Sequence, residues 1–158
     1  MKEQLLETWQ VHQRIHLYLL NAIAPENLRD ISASKGRSVG EQFAHIHNVR
    51  LMWLQSAAPD MLTSGAKSLQ KIEKPDAGDK DLLVESLTAS AAAISTLLDH
   101  ALSTTGKIKG FKPHAVAWLG YLISHESHHR GQIALTLKQA GHPLDKKTGF
   151  GMWEWGTR

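Results

Sequence analysis

The sequence predicts an all-α protein, a four-helix bundle whose second and third helices are joined by a long crossover. Three observations predict it. Apolar side chains recur at helical spacing in four long stretches, prolines mark the ends of those stretches, and no segment reads convincingly as a strand. With 158 residues the chain is most simply one domain, residues 1–158, long enough to bury about 70% of its unfolded surface around a core.

The first helix is expected over Glu3 to Ala24, where Leu5, Trp9, His12, Ile15, Leu19 and Ile23 share a face and Pro25 closes the segment. It carries an i, i+4 pair, His12 and His16, flanked by Leu5, Leu6, Trp9, Leu19 and Leu20. Pro25 to Arg37 is a polar, basic connection. Ser38-Val39-Gly40-Glu41 fits a capping box, in which Ser38 accepts from the backbone while Glu41 reaches back. The second helix then runs to about Ala57 on Val39, Phe43, Ile46, Val49 and Trp53. His45 lies on the line Gln42, His45, Val49, Met52, and His47 on the line Phe43, His47, Arg50, Leu54. Spacing alone does not decide which of the two histidines looks inward.

Ala58 to Gly78, with Pro59, Gly65, Pro75 and Gly78, is the crossover, with short helical turns around Met61 or Leu69. The third helix, Asp79 to Ser103, is alanine-rich scaffold in which only His100 is a candidate ligand. Thr104 to Lys112 is a basic turn, Pro113 suits the first turn of a fourth helix ending near Ala140, and Gly141 with Pro143 stops it. Gly120 and Gly131 inside that helix each cost about 1 kcal/mol against alanine and hint at a close approach. The tail, Lys146 to Arg158, holds Phe150, Met152, Trp153 and Trp155, aromatic enough to dock on the bundle or on a second subunit.

Composition excludes several functions. The absence of cysteine removes disulfides, thiolate ligands and a cysteine nucleophile, so any thiol chemistry needs a thiol brought in as substrate. A net charge of +3 with scattered lysines and arginines argues against nucleic-acid binding. The N-terminus passes directly into an amphipathic pattern, and no apolar run is expected to approach the roughly 18 residues of a membrane span. A cytoplasmic protein without a membrane partner is the expectation.

The chemistry concentrates in Ser124-His125-Glu126-Ser127-His128-His129-Arg130-Gly131-Gln132-Ile133. His125 and His129, four apart, point the same way and share the line Trp118, Leu122, His125, His129, Ile133, so they face the core. Buried imidazoles must be hydrogen-bonded, charged against a partner or metal-bound. Read literally, His125 to His129 satisfies H-E-x-x-H, with Glu126 as the general base of a zinc protease. The lack of a sheet to hold a peptide and the density of histidines argue against proteolysis. Two imidazoles hold a divalent ion weakly, so a third from another helix is needed. A three-histidine set leaves an open position, the arrangement of a catalytic site, where water or a thiol is acidified. Glu41, Gln42, Asn48, Glu126 and Gln132 are candidates for orienting the rings. Arg130 is a candidate for an anionic substrate group or a salt bridge. Asn48, His12 and His16 are candidates for the pocket edge.

The segments Ser38-Val39-Gly40-Glu41-Gln42-Phe43-Ala44-His45-Ile46 and His125-Glu126-Ser127-His128-His129-Arg130-Gly131-Gln132-Ile133 resemble the DinB-like (damage-inducible) family, also called YfiT-like metal-dependent hydrolases. This is not the DNA polymerase that shares the DinB name. The likeness covers nearly the whole chain, including the closing Gly151-Met152-Trp153-Glu154-Trp155, and the HxxxHRGQ element is its most specific part. The resemblance implies His45, His125 and His129 as metal ligands, a Zn or Ni ion, an up-down-down-up bundle and a homodimer. Family members of known activity are transferases or isomerases dependent on bacillithiol, mycothiol or glutathione-like thiols. His47 and His128 are additions to the family pattern, which leaves the ligand choice open to them.

The expectation is therefore a metal-binding protein whose divalent ion is held by His45, His125 and His129. It would act on a small-molecule substrate, with a low-molecular-weight thiol, as an S-transferase or hydrolase. The alternative is a non-catalytic module in which the ion is structural or sensed, marked by a fourth protein ligand such as His12 or His16.

Overall fold

The computed structural model describes all residues, 1–158, and is all-helical. Four long helices make the body: α1 (Lys2–Ala22), α2 (Val39–Ala57), α3 (Lys80–Ser103) and α4 (Ala115–Gln139). A fifth, short helix, α5 (Lys146–Gly151), carries the C-terminal tail. No strand is present. The helix ends follow local chemistry. At α2 both halves of the capping box form, Ser38 Oγ accepting from Glu41 N (3.2 Å) and Glu41 Oε2 from Ser38 N (2.7 Å). Asp79 caps α3 by accepting from Leu82 N. Past α4, Gly141 turns left-handed (φ 87°) and the His142 N–H returns to the Leu137 carbonyl at 2.8 Å. Pro113 differs from expectation: His114 is the N-cap and accepts from Ala117 N, so the proline lies just outside the helix.

The crossover between α2 and α3 folds as three 3-10 turns, Pro59–Leu62, Lys67–Leu69 and Lys74–Gly78. It is pinned to α2. Asn48 exchanges two hydrogen bonds of 2.9 Å with the Ile72 backbone, and the buried His47 donates from Nε2 to the Gln70 carbonyl. Where the crossover returns, Gly40 lets the first turn of α2 lie against Ala77, whose carbonyl a Cβ at this position would overlap.

The core is divided into two apolar clusters. One gathers Leu19, Leu20, Phe43, Ile46, Leu83, Leu87, Ile133 and Leu137; the other gathers Trp9, Leu54, Ile94, Leu98, Trp118 and Leu122. Each fully buried Leu or Ile contributes about 1.5–3 kcal/mol by leaving water. Between the clusters, every long helix places buried polar groups: His12, Gln13 and His16 on α1, His47 and Arg50 on α2, Ser86 and Ser90 on α3, Glu126 and His129 on α4. α1 and α4 pass from the tryptophan cluster to the phenylalanine cluster, and α2 and α3 the other way.

α3 corrects one expectation. By length and composition it is apolar enough to cross a bilayer, which a search for unbroken apolar runs misses because serine and threonine interrupt it. In the bundle 44% of that span is buried, with Leu83, Leu87, Ile94 and Leu98 wholly enclosed. His100 is exposed and ligates nothing.

The tail docks only in part. Tyr18 on α1 donates to the Lys147 carbonyl and lies under the Arg158 guanidinium, which bonds the Gly151 carbonyl at 2.9 Å. Gly151 is buried against the Tyr18 hydroxyl, which a Cβ at this position would overlap. Met152 packs on the core, but Trp153 is 80% and Phe150 70% exposed, so of the two expected docking places, the bundle or a second subunit, the bundle does not cover these two rings.

Candidate metal centre

The middle of the bundle contains two clusters of titratable side chains on different sides of α4. In the first, His45 from α2 meets His125 and His129 from α4, with one ligand atom of each lying within 4.8 Å of the others. The rings pack edge to face, His45 at 4.5 Å and His125 at 4.7 Å from His129 between centroids. His129 is buried while His45 and His125 are half-buried, so the group is closed on the core side and reachable from solvent on the other. A cleft of about 210 Å³ lined by Arg37, His45, Asn48 and Lys74 opens beside it.

Hydrogen bonding fixes one tautomer. His129 Nδ1 donates to Gln42 Oε1 at 2.6 Å, which leaves a lone pair on Nε2. That lone pair faces His125 Nε2 at 3.2 Å, while His125 Nδ1 is buried without a partner. If Nε2 of His125 carries its proton, the ring leaves a buried acceptor unmatched; if Nδ1 carries it, a buried donor is unmatched and two lone pairs converge. A cation between the nitrogens takes up both lone pairs and removes their repulsion, with the His125 Nδ1 proton still unmatched, so these donors fit a metal. The protonation state fits as well. Burial, then the charges of His45 and His125, push His129 down to about 4, and burial also lowers His45 and His125. Neutral imidazoles are the form that ligates.

The added histidines do not join this group. His47 is committed to the crossover, and His128 is exposed, touching His129 only edge-on. Of the proposed orienting residues, Gln42 alone bonds one of the rings. Glu41 serves the cap and Lys74, Asn48 holds Ile72, and Gln132 makes no side-chain hydrogen bond.

The second cluster was legible in the sequence only as separate pieces. His12, His16 and Glu126 bring their ligand atoms together with all three side chains buried, and by spacing this group too could bind a metal. Its hydrogen bonds are nearly closed without one. Glu126 takes Arg50 on both oxygens, and its Oε2 also accepts from His12 Nε2 and His16 Nε2 at 2.8 Å. Arg130 donates to His12 Nδ1, which fixes the His12 proton on Nε2. Burial by itself would raise the Glu126 carboxyl, but Arg50 and the two imidazoles outweigh it and hold the group well below the usual carboxylate range. A divalent ion here would displace two imidazole protons and sit beside two guanidiniums. Glu126 is therefore a locked carboxylate and not the general base that H-E-x-x-H suggests, and His12 and His16 are engaged away from the three-histidine group.

Arg50 is the functional residue that sequence reasoning missed. It sits on the line Phe43, His47, Arg50, Leu54, both of whose apolar ends are fully buried. A cation on such a line requires a buried carboxylate, which was the available signal.

Comparison with known proteins bears on the whole chain. A family model described as the DinB family matches residues 1–152. The chain is also 25% identical over 161 residues to a Bacillus subtilis (strain 168) protein designated "Uncharacterized protein YrdA", covering 97% of this chain and 91% of that one. No solved structure matches.

Proposed function

The chain belongs to the DinB family, and from that membership and the convergence of His45, His125 and His129 we propose that it is a divalent-metal enzyme of the thiol S-transferase or hydrolase type. The observation that carries the reading is the convergence of the three ring nitrogens, with the lone pair of His129 Nε2 turned toward His125 by the Gln42 hydrogen bond. Three neutral imidazoles suit Zn or Ni, and they leave coordination positions for a substrate. When bound, such an ion supplies Lewis acidity and a lowered pKa to a water or thiol placed on it.

The chain's own residues do the rest. Gln42 holds the His129 ring and tautomer through one hydrogen bond. Tyr121 stacks against His125 at 6.2 Å and walls the site on that side. Arg37 at the adjacent cleft, where Lys74 is paired with Glu41, favours an anionic substrate, such as a carboxylate-bearing thiol. The commitment of His12 and His16 to Glu126 supports an open metal rather than a closed structural one.

The test is turnover of electrophilic substrates with bacillithiol, mycothiol, glutathione or water, on protein loaded with Zn, Ni or Mn. The reading expects one thiol or water to give metal-dependent turnover that is lost in His129→Ala. Full metal occupancy with no turnover on any combination would contradict catalysis and leave a metal-binding module.

A further inference from the structure

The exposed tail aromatics border a groove that the three-histidine site does not use. Met152, Trp153 and Trp155 form one wall, and Ser127, Arg130 and Ala134 of α4 form the other, around about 490 Å³. That volume is within the range of small-molecule pockets. At 100° per residue, the α4 wall lies on the opposite side of the helix from His125 and His129.

The groove contains a cation without a counter-ion. Arg130 is half-buried, yet it donates only to neutral acceptors, His12 Nδ1 and Ser127 Oγ, while its Nη1 lies 3.1 Å from His16 Nε2, whose proton goes to Glu126. The carboxylate within reach of its neighbours, Glu126, is taken by Arg50 and by the two imidazoles. A guanidinium in this half-buried position, with no carboxylate of its own, gains from an anion. Around it, indole surface that water ordinarily penalises stands open, with Trp153 80% and Trp155 39% exposed. The tail that presents these rings is fixed, through Tyr18, Gly151 and Arg158.

We propose that this groove is a second binding site, for a small aryl or alkyl carboxylate whose acid pairs with Arg130 and whose apolar body lies against Trp153 and Trp155. The site does not depend on the metal. Through Arg130 it touches His12 and His16, so an occupant bears on the polar layer of the bundle.

The probe is 4-phenylbutyrate, with 4-phenylbutanamide as its neutral twin, read by tryptophan fluorescence and by calorimetry. The acid should give a saturable change, at least tenfold tighter than the amide and unaltered by chelator. Arg130→Gln should weaken it at least tenfold. Because Arg130 also supports the histidines, Gly131→Leu provides the second variant. A Cβ at Gly131 meets nothing, so a leucine there fills the groove without disturbing the core, and it should abolish binding with helical circular dichroism unchanged. Equal binding of acid and amide, no saturable binding, or binding that survives Gly131→Leu overturns the proposal. So does a dimer in sedimentation that Gly131→Leu dissociates and the acid does not, since a second copy would then be the occupant.

Discussion

Arg50 and Glu126 face each other across the centre of the bundle as a bidentate pair, both contacts 2.7 Å, with 0% and 1% of their side chains exposed. Such a pair joins α2 to α4, and the histidines of α1 and the Leu87 carbonyl and Ser90 of α3 close around it. Removing one partner leaves the other charge buried. Glu126→Gln should therefore destabilise by about 3–5 kcal/mol in urea unfolding. Arg50→Met combined with Glu126→Leu should recover part of that loss, since a buried ion pair replaced by apolar groups is often nearly neutral. A single variant as stable as the parent would show the pair to be unimportant.

Gln42 acts on the metal through His129 and not by ligation. Gln42→Ala should lower metal affinity by about 10–100-fold in competition with a chromophoric chelator, with the fold retained. Gln42→Glu keeps the acceptor and should restore most of the affinity. Equal loss in both variants would mean that Gln42 serves packing alone.

Acid should destabilise the metal-free protein, with the sign set by the polar layer. Burial lowers His12, His16 and His47, so in the folded protein these rings stay neutral below the ordinary histidine value, at which the unfolded chain takes up protons. Their contribution is complete above about pH 6.5 and declines as pH falls toward the depressed folded values. Glu126, also depressed, loses its contribution lower still, as pH falls through its folded value. Urea midpoints at pH 7.5, 6 and 5 should decrease in that order; a flat or rising series would contradict the assigned protonation states.

Two glycines should respond in opposite directions. Gly40→Ala forces a Cβ onto the Ala77 carbonyl and should cost about 1–3 kcal/mol, whereas Gly131→Ala meets open space and should gain about 1 kcal/mol from helix propensity. Thermal melts of the two variants test both. The result also separates the two readings of helical glycine in the sequence, since Gly120 and Gly131 have nothing within 4 Å of a Cβ and mark no close approach.

The four helices were legible because periodicity reports which face is buried, and the caps at Ser38, Asp79 and Gly141 report where the helices stop. Periodicity is silent on pairing. It placed His12 and His16 beside the core face of α1 and Arg50 on a line with Phe43 and Leu54 without indicating that they meet Glu126, because that depends on the axial offset between helices. It also could not divide the ten histidines between the metal group and the polar layer. His45 and His47 differ by only two residues, and the crossover decides between them by offering the Gln70 carbonyl to His47. The tail was legible only in part: aromatic content predicts docking on the bundle or on a second subunit, and the packing of Gly151 on Tyr18 turns Trp153 away from the bundle.

Metal stoichiometry by elemental analysis, on protein purified without an affinity tag, tests the central claim most directly. The account predicts about one divalent ion per chain, lost when His45, His125 and His129 are together changed to alanine and retained in His12→Ala. Metal retained in the triple variant, or lost in His12→Ala while the fold persists, would contradict it and move the ion to the Glu126 cluster.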